Sequence, residues 1–383
     1  METGHVKILF LLNAYEDDGP GRLIYSVIAK LIKYEGVECW TAALRRSGPM
    51  KEKFDALLVP TKVIKMKSIY QLNEFKSLVE FIKSNGFDIV HTNLVRADII
   101  GRYAAKKAGV PVIVTTEHGI HTWQVRGKIV EYFVKYLYNR TAEFTDSIIA
   151  VSDYVKERLI ESGVPGDKIV RIYNGIDVKE FSPVSDEERY EFRRFLSQDE
   201  SYHIVGGVGN LVSLKGHSYF IKAIPRILEK HPLTLFVIVG EGPLHNRLVA
   251  EVKRLGLSEK VRFLGRLSAL TARVISSMDV LVQPSLTESF GLVVAEALGC
   301  GVPVVGTRVG GVPEIIVDGQ HGFLVEPRNP DAIADKVIWL LDHKEEARTI
   351  AGRGRQYVEE NFDITKTVQA YYDLYARLLQ AKA

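Results

Sequence analysis

The chain has 383 residues, 46% of them hydrophobic and 25% charged, an ordinary globular balance that excludes a mainly disordered protein; at about 150 residues per domain the length allows two to three domains. Lys and Arg number 50 against 47 Asp and Glu, a net charge of +3, which gives no electrostatic case for a nucleic-acid binder. The two cysteines, Cys39 and Cys300, are too few for a disulfide framework or a zinc site and read as small buried hydrophobes.

The predicted elements alternate between strand and helix. The first strand spans 6–12; it is too short for a signal-peptide core, and no small-residue cleavage site follows it. Further strands are predicted at 88–91, 111–116, 146–151 and 169–173. Several are apolar throughout, as strands covered on both faces of a parallel sheet must be. Between them, Leu23, Ile24, Val27, Ile28, Leu31 and Ile32 recur at helical spacing in 22–35, and Leu72, Phe75, Leu78, Val79 and Ile82 do so in 70–84. A polar stretch, Ser182 to Ser201, interrupts the pattern. It restarts with strands at 203–208, 234–239, 261–264, 279–283 and 302–305, each followed by a helical segment. The most apolar 18-residue window, Ser289 to Gly306, contains Glu296 and is cut by Gly and Pro. No lipid-spanning helix is therefore expected, and the protein is expected in the cytoplasm. A last helix, 365–380, carries Val368, Tyr371, Tyr372, Tyr375, Leu378 and Leu379 on a face that needs a partner. The fold class is α/β: two doubly wound, Rossmann-like domains in series, with a boundary near 175–200. Ligands of such sheets bind beyond the carboxyl ends of the strands, and two such edges can face each other across a cleft.

The densest site signal is Pro284 to Ala297, a strand end followed by a helix predicted to begin near Phe290. The amides of Phe290, Gly291, Leu292 and Val293 would then point at an anion such as a phosphate. Glu296, about two turns in at 3.6 residues per turn, is placed to reach hydroxyls of that ligand, and Glu288 faces the same space. The same residues also fit a capped helix with solvated carboxylates. In Gly206 to His217 the glycines allow close backbone approach, and Lys215 can neutralise a phosphate. Gly240-Glu241-Gly242-Pro243 and Asp18-Gly19-Pro20-Gly21-Arg22 repeat the strand–glycine–helix pattern, although either alone can be a simple tight turn.

Glu288 and Glu296 stand in Glu-Ser-Phe-Gly-Leu-Val-Val-Ala-Glu. Gly299-Cys300-Gly301-Val302-Pro303-Val304 and Gly310-Gly311-Val312-Pro313-Glu314 follow. Upstream lie Thr116-Glu117-His118-Gly119, Val151-Ser152, Tyr173-Asn174-Gly175-Ile176-Asp177, Lys215-Gly216-His217, Val239-Gly240-Glu241-Gly242-Pro243 and Phe263-Leu264-Gly265-Arg266. In this order, over nearly the whole chain, the motifs resemble the family 4 glycosyltransferases, retaining enzymes of the GT-B fold. The resemblance implies an acceptor-binding domain over 1–178 and a nucleotide-sugar-binding domain over 179–364, with the terminal helix, 365–383, packed back onto the first.

Residue by residue, the resemblance implies that Glu296 holds the ribose hydroxyls, that Glu288 contacts the donor sugar and that Ser289 is among the donor-binding residues. The amides from Phe290 to Val293 cradle sugar and diphosphate, and Lys215 meets the diphosphate. Gly19 lets the first loop approach the phosphates, His118 contacts the transferred sugar, and the backbone of Arg266 meets the base. Two departures stand out: Asn210 occupies a position where relatives carry a second cation, Arg, and the first loop reads Asp18-Gly19 where relatives often have Gly-Gly. No Asp-x-Asp occurs, so no metal clamp is expected. No cofactor is implied beyond the nucleotide-sugar donor, UDP-linked in first place and GDP-linked as the alternative. Glu288 is not expected to act as a covalent nucleophile. In the family's favoured account, attack comes on the face of the leaving diphosphate, which takes the acceptor proton. Asn174 and Asp177 read as turn residues, and His121 is a weaker candidate for acceptor contact.

On the acceptor side, Gln124 to Arg140 is apolar or aromatic around most of its circumference, with Arg126, Lys128, Lys135 and Arg140 interleaved; Lys62, Lys65 and Lys67 add a second basic cluster. Such a segment is either a helix buried between neighbours or one lying at a membrane surface. The second reading suits a peripheral protein with a glycan or lipid-linked acceptor, such as a polyprenyl-diphosphate sugar. The alternatives are a nucleotide-sugar epimerase of the same architecture, a transferase to a small soluble acceptor, and a non-enzymatic scaffold. Oligomeric state is left open, and no nucleic-acid partner is expected.

Overall fold

The computed structural model describes residues 5–66, 71–119, 128–196, 201–267 and 271–383. His121, Lys67 and the 124–127 part of the basic aromatic segment lie outside them. In chain order the elements are β1 (Val6–Leu12), α1 (Gly19–Leu31), β2 (Val37–Ala43), α2 (Pro49–Ala56), β3 (Thr61–Val63), α3 (Leu72–Asn85), β4 (Ile89–Asn93), α4 (Val95–Ala108), β5 (Val112–Glu117), α5 (Lys128–Ala142), β6 (Ser147–Ala150), α6 (Asp153–Glu161) and β7 (Ile169–Arg171). There follow α7 (Asp186–Leu196), β8 (His203–Val208), α8 (His217–Lys230), β9 (Thr234–Val239), α9 (His245–Arg254), β10 (Val261–Gly265), α10 (Thr271–Ser276), β11 (Val280–Gln283), α11 (Leu292–Gly299), β12 (Val304–Thr307), α12 (Val312–Ile315), β13 (Phe323–Val325), α13 (Pro330–Asp342), α14 (Lys344–Asn361) and α15 (Ile364–Gln380).

The chain divides into two units, Met1–Gly175 with Ile364–Ala383, and Ile176–Asp363. The first holds a seven-stranded sheet in the order β3-β2-β1-β4-β5-β6-β7, and the second a six-stranded sheet in the order β10-β9-β8-β11-β12-β13. The strand pairs are parallel throughout. Three strands escaped the sequence reading. β2 carries the polar Glu38 and Thr41 and leaves Val37, Glu38 and Trp40 only part-buried, while β3 and β13 are three residues long, too short to show a period.

The apolar face of α15 finds its partner in the first unit. Val368, Tyr371, Leu374 and Tyr375 are buried in one cluster with Ile8 and Phe10 of β1 and Leu23, Ile24, Val27 and Ile28 of α1. The tyrosine hydroxyls also need partners once buried. Tyr375 meets His91 Nδ1 at 2.5 Å, and His91 Nε2 meets Thr116 Oγ1 at 2.7 Å. The Thr116 hydroxyl in turn meets that of Tyr371 at 3.0 Å. Burial, and secondarily the nearby His118, pushes the His91 pKa down to about 3, while burial raises that of Tyr371 to about 12. The network is therefore neutral, and it pins α15 beneath β4 and β5.

Candidate active site

In a doubly wound sheet the ligand site forms where strand order reverses, because neighbouring loops there diverge and open a crevice. In the second sheet that place lies between β8 and β11. The loop after β8 carries Asn210, which is exposed, and ends in a 3-10 turn over Ser213–Lys215. The loop after β11 runs from Pro284 to Gly291. The two are joined by Leu286 N–H donating to the Leu214 carbonyl, 2.7 Å.

Across this junction Lys215 Nζ donates to Glu288 Oε1 at 2.5 Å. The same oxygen accepts from Ser285 Oγ at 2.8 Å and from Gln283 Nε2 at 3.0 Å. Burial pushes the Glu288 carboxyl upward, but the Lys215 charge and these hydrogen bonds outweigh it, and its pKa lies below the ordinary value. Glu288 is thus an anion held by a cation. Lys215, read from the sequence as a cation for the ligand alone, has its charge partnered by Glu288. Gln283 and Ser285 were missed by sequence reasoning, although both lie within five residues of Glu288 at a strand end.

Glycines hold this geometry. Gly216 has φ +65, and a Cβ there would lie 2.0 Å from the Pro284 carbonyl oxygen. Gly310 has φ +54, and a Cβ there would lie 1.6 Å from that of Glu288. Only glycine accepts both the left-handed backbone and the contact. Gly311 N–H donates to the Glu288 carbonyl at 3.2 Å, so the loop after β12 supports the carboxylate's backbone.

The helix predicted to start at Phe290 starts at Leu292. Phe290 is buried against the ring of Phe362, with centroids 5.3 Å apart, because an apolar ring gains more in the core than at an anion site. Gly291 caps the helix with φ 110 and supplies no side-chain cap. The first-turn amides of α11, where Leu292 and Val293 are half-buried, therefore receive no side-chain cap from the N-cap residue. Ser289 is half-buried beside them. Glu296 sits about one turn into the helix, not two.

The loops after β9 and β10 join the same edge. Leu211 N–H donates to the Glu241 carbonyl at 2.8 Å, and Gly240 N–H to the Gly265 carbonyl at 2.8 Å. Arg266 Nε lies 3.7 Å from Glu241 Oε2.

In the first unit the order reverses between β1 and β4. Asn13 follows β1, and its Oδ1 accepts from Ala97 N–H at 2.8 Å. Gly19 is exposed in the first turn of α1, whose cap Asp18 accepts from Gly21 N–H. His118 follows β5, part-buried, with Nε2 3.0 Å from Asn93 Oδ1 at the end of β4. Packing around the ring pushes its pKa down to about 4, so it is neutral at physiological pH. Among the described residues no group of three or more His, Cys, Asp and Glu gathers as a metal site, and no helix is long and apolar enough to cross a membrane.

A carboxylate–lysine pair and a helix start at the reversal point of a doubly wound sheet form an arrangement suited to phosphorylated ligands. Comparison with known proteins places the chain more closely. Residues 188–357 match the family "Glycosyl transferases group 1" and residues 18–180 match "Glycosyltransferase Family 4". An Escherichia coli UDP-Gal:alpha-D-GlcNAc-diphosphoundecaprenol alpha-1,3-galactosyltransferase is 30% identical over 346 residues, 88% of this chain and 89% of that protein. An N-acetyl-alpha-D-glucosaminyl L-malate synthase of Bacillus anthracis is 32% identical over 320 residues, 81% and 80% of the two chains. Anabaena HepE, solved with UDP-glucose, superposes with a TM-score of 0.87 at 23% identity, over 97% of this chain and 100% of that one. The chain belongs to family 4 of the glycosyltransferases, and its fold is GT-B.

Proposed function

We propose that this protein is a retaining, metal-independent glycosyltransferase that moves a hexose-type sugar from a UDP-sugar to a lipid-linked or growing cell-surface glycan. The observation that carries this reading is the Lys215–Glu288 pair at the β8/β11 reversal point, beside the start of α11. Glycosyl transfer builds positive charge at the sugar and negative charge on the departing diphosphate. Lys215, with the α11 amides, is suited to the second, and Glu288, held ionised, to the sugar. Donor binding is then an exchange, in which Lys215 shares its charge between Glu288 and the diphosphate. With Asn210 in place of a second cation, the α11 amides carry more of that load. In the same reading Glu296 takes the ribose, Gly19 and Ser289 line the donor, Arg266 lies by the base, and neutral His118 accepts a hydrogen bond from the transferred sugar. UDP is favoured over GDP because the galactosyltransferase relative is named for UDP-Gal.

A thermal-shift titration with UDP, GDP and ADP, with and without chelator, tests the donor side. The expected result is stabilisation by UDP, about 2.7 kcal/mol at a hundredfold excess over Kd, insensitive to chelator and lost in Glu296→Ala. Equal shifts with all three nucleotides, or none, would overturn it. Conversion of the donor with no acceptor present would favour the epimerase reading instead.

The lipid-linked acceptor draws support from α5. Ile129, Val130, Tyr132, Phe133 and Tyr136 are exposed there, Ile129 by 86% and Tyr132 by 75%, which does not suit a helix buried on all sides. Basic aromatic surfaces of this kind bind anionic bilayers. The chain is expected to co-sediment with anionic vesicles, and Tyr132→Ser, Phe133→Ser and Lys135→Glu together are expected to abolish this. Transfer to a soluble acceptor with no vesicle binding would favour a small acceptor, as the malate synthase relative has.

A further inference from the structure

The carboxyl ends of β4 and β5 hold a hydrogen-bond chain through Asn93. This residue is 1% exposed and closes β4. Its Nδ2 donates to the His91 carbonyl at 3.2 Å, and its Oδ1 lies 3.0 Å from His118 Nε2. The first contact settles which way the amide points. A carbonyl oxygen only accepts, so the NH2 end faces His91 and the oxygen end faces His118. The Asn93 oxygen also only accepts, so His118 Nε2 must carry a proton. In the neutral ring Nδ1 is then a lone pair. Among the described residues no hydrogen bond reaches that nitrogen. Strand register fixes the relation, since Asn93 pairs with Thr116, two residues before His118. Below it, His91 and Thr116 are locked together and to α15.

We propose that Asn93 is a positioning residue that holds His118 in its Nε2–H tautomer, so that Nδ1 is presented as an acceptor to a hydroxyl of the bound sugar. The proposal deepens the glycosyl-transfer reading and rests on it for the identity of the ligand. The tautomer itself can be tested without ligand.

The test uses the full chain labelled with [15N]histidine, with the His118 resonance assigned by its loss in His118→Gln. At pH 7 the wild type is expected to show a single Nε2–H tautomer with Nδ1 unprotonated. Asn93→Leu, which keeps the volume and removes the acceptor, is expected to give a mixture. Asn93→Asp keeps the shape and adds a charge facing Nε2. The neighbouring titratable groups are His91, neutral, and Glu117, whose Oε1 accepts from Gly119 N–H. The His118 pKa is therefore expected to rise from its low value. An Nδ1–H tautomer in the wild type, or a tautomer and pKa untouched by both variants, would overturn the proposal. In transfer assays Asn93→Leu is expected to lose about tenfold in kcat, the equivalent of one hydrogen bond, with UDP-sugar affinity within about twofold. A lowered melting temperature with unchanged kcat would reduce Asn93 to a structural residue and overturn the proposal. A wild type with the expected tautomer but no transfer would fault the transferase reading while supporting the tautomer assignment.

Discussion

Lys215→Met is expected to lower the rate of sugar transfer by about 10²–10³, the scale of losing one preorganised group that stabilises developing negative charge. Methionine keeps most of the stem and removes only the cation. The effect should fall on kcat, because the diphosphate gains charge as the glycosidic bond breaks. The same variant carries a second signature in its stability. In the wild type the Glu288 pKa is lowered on folding, so it contributes stability that is present above the unfolded-state pKa and lost as pH falls through the folded one. Without Lys215 its charge and hydrogen bond no longer offset burial, and the folded pKa rises. Glu288 then contributes less stability as pH climbs. The slope of Tm against pH between about 4 and 7, where an ordinary Glu near 4.3 titrates, should therefore be shallower in Lys215→Met relative to wild type. An unchanged slope would mean that the pair does not hold the carboxylate ionised.

Gly310→Ala is expected to be as damaging, from a residue that bears no functional group. The added Cβ would overlap the Glu288 carbonyl oxygen at 1.6 Å and its carbon at 2.7 Å, from a backbone at φ +54. Both contacts are to main chain, so neither side can rotate away. Either the loop after β12 or the backbone of Glu288 must shift by about 1 Å, a displacement that in an active site costs about 10²-fold in rate. Overpacking and strain together should destabilise the chain by about 2–4 kcal/mol. Gly319→Ala is the control: its φ is +75 but nothing lies within 4 Å of the new Cβ. It should lose only the left-handed penalty of about 1–2 kcal/mol and keep full activity. Melting curves and transfer rates of the two variants separate strain from displacement of the carboxylate.

Much of the fold was legible because buried parallel strands are apolar along their whole length. β1, read as 6–12, occupies Val6–Leu12. β2 and β13 were not legible, the first because Glu38 and Thr41 break its run and the second because it is only three residues long. The helix after β11 begins two residues later than expected, because Phe290 goes to the core against Phe362 and glycine at 291 turns the chain into the helix. For the site, the motifs marked Glu288, Lys215 and His118 as separate residues. They did not mark Gln283, Ser285 or Asn93, which carry no reactive group and act only by holding those that do.

The sequence by itself determined the two runs of strand and helix, the glycines and carboxylates at the strand ends, and membership of a glycosyltransferase family. These are local properties, written in the spacing of apolar residues and the identity of a few turn residues. Tertiary structure alone decided that Lys215 meets Glu288 across 73 residues, that Asn93 meets His118 across 25, and that Tyr375 reaches back to His91 across 284. Charge pairing, tautomer and pKa depend on distance and burial. Those follow from which strands lie side by side in a sheet, an order that the one-dimensional pattern does not contain.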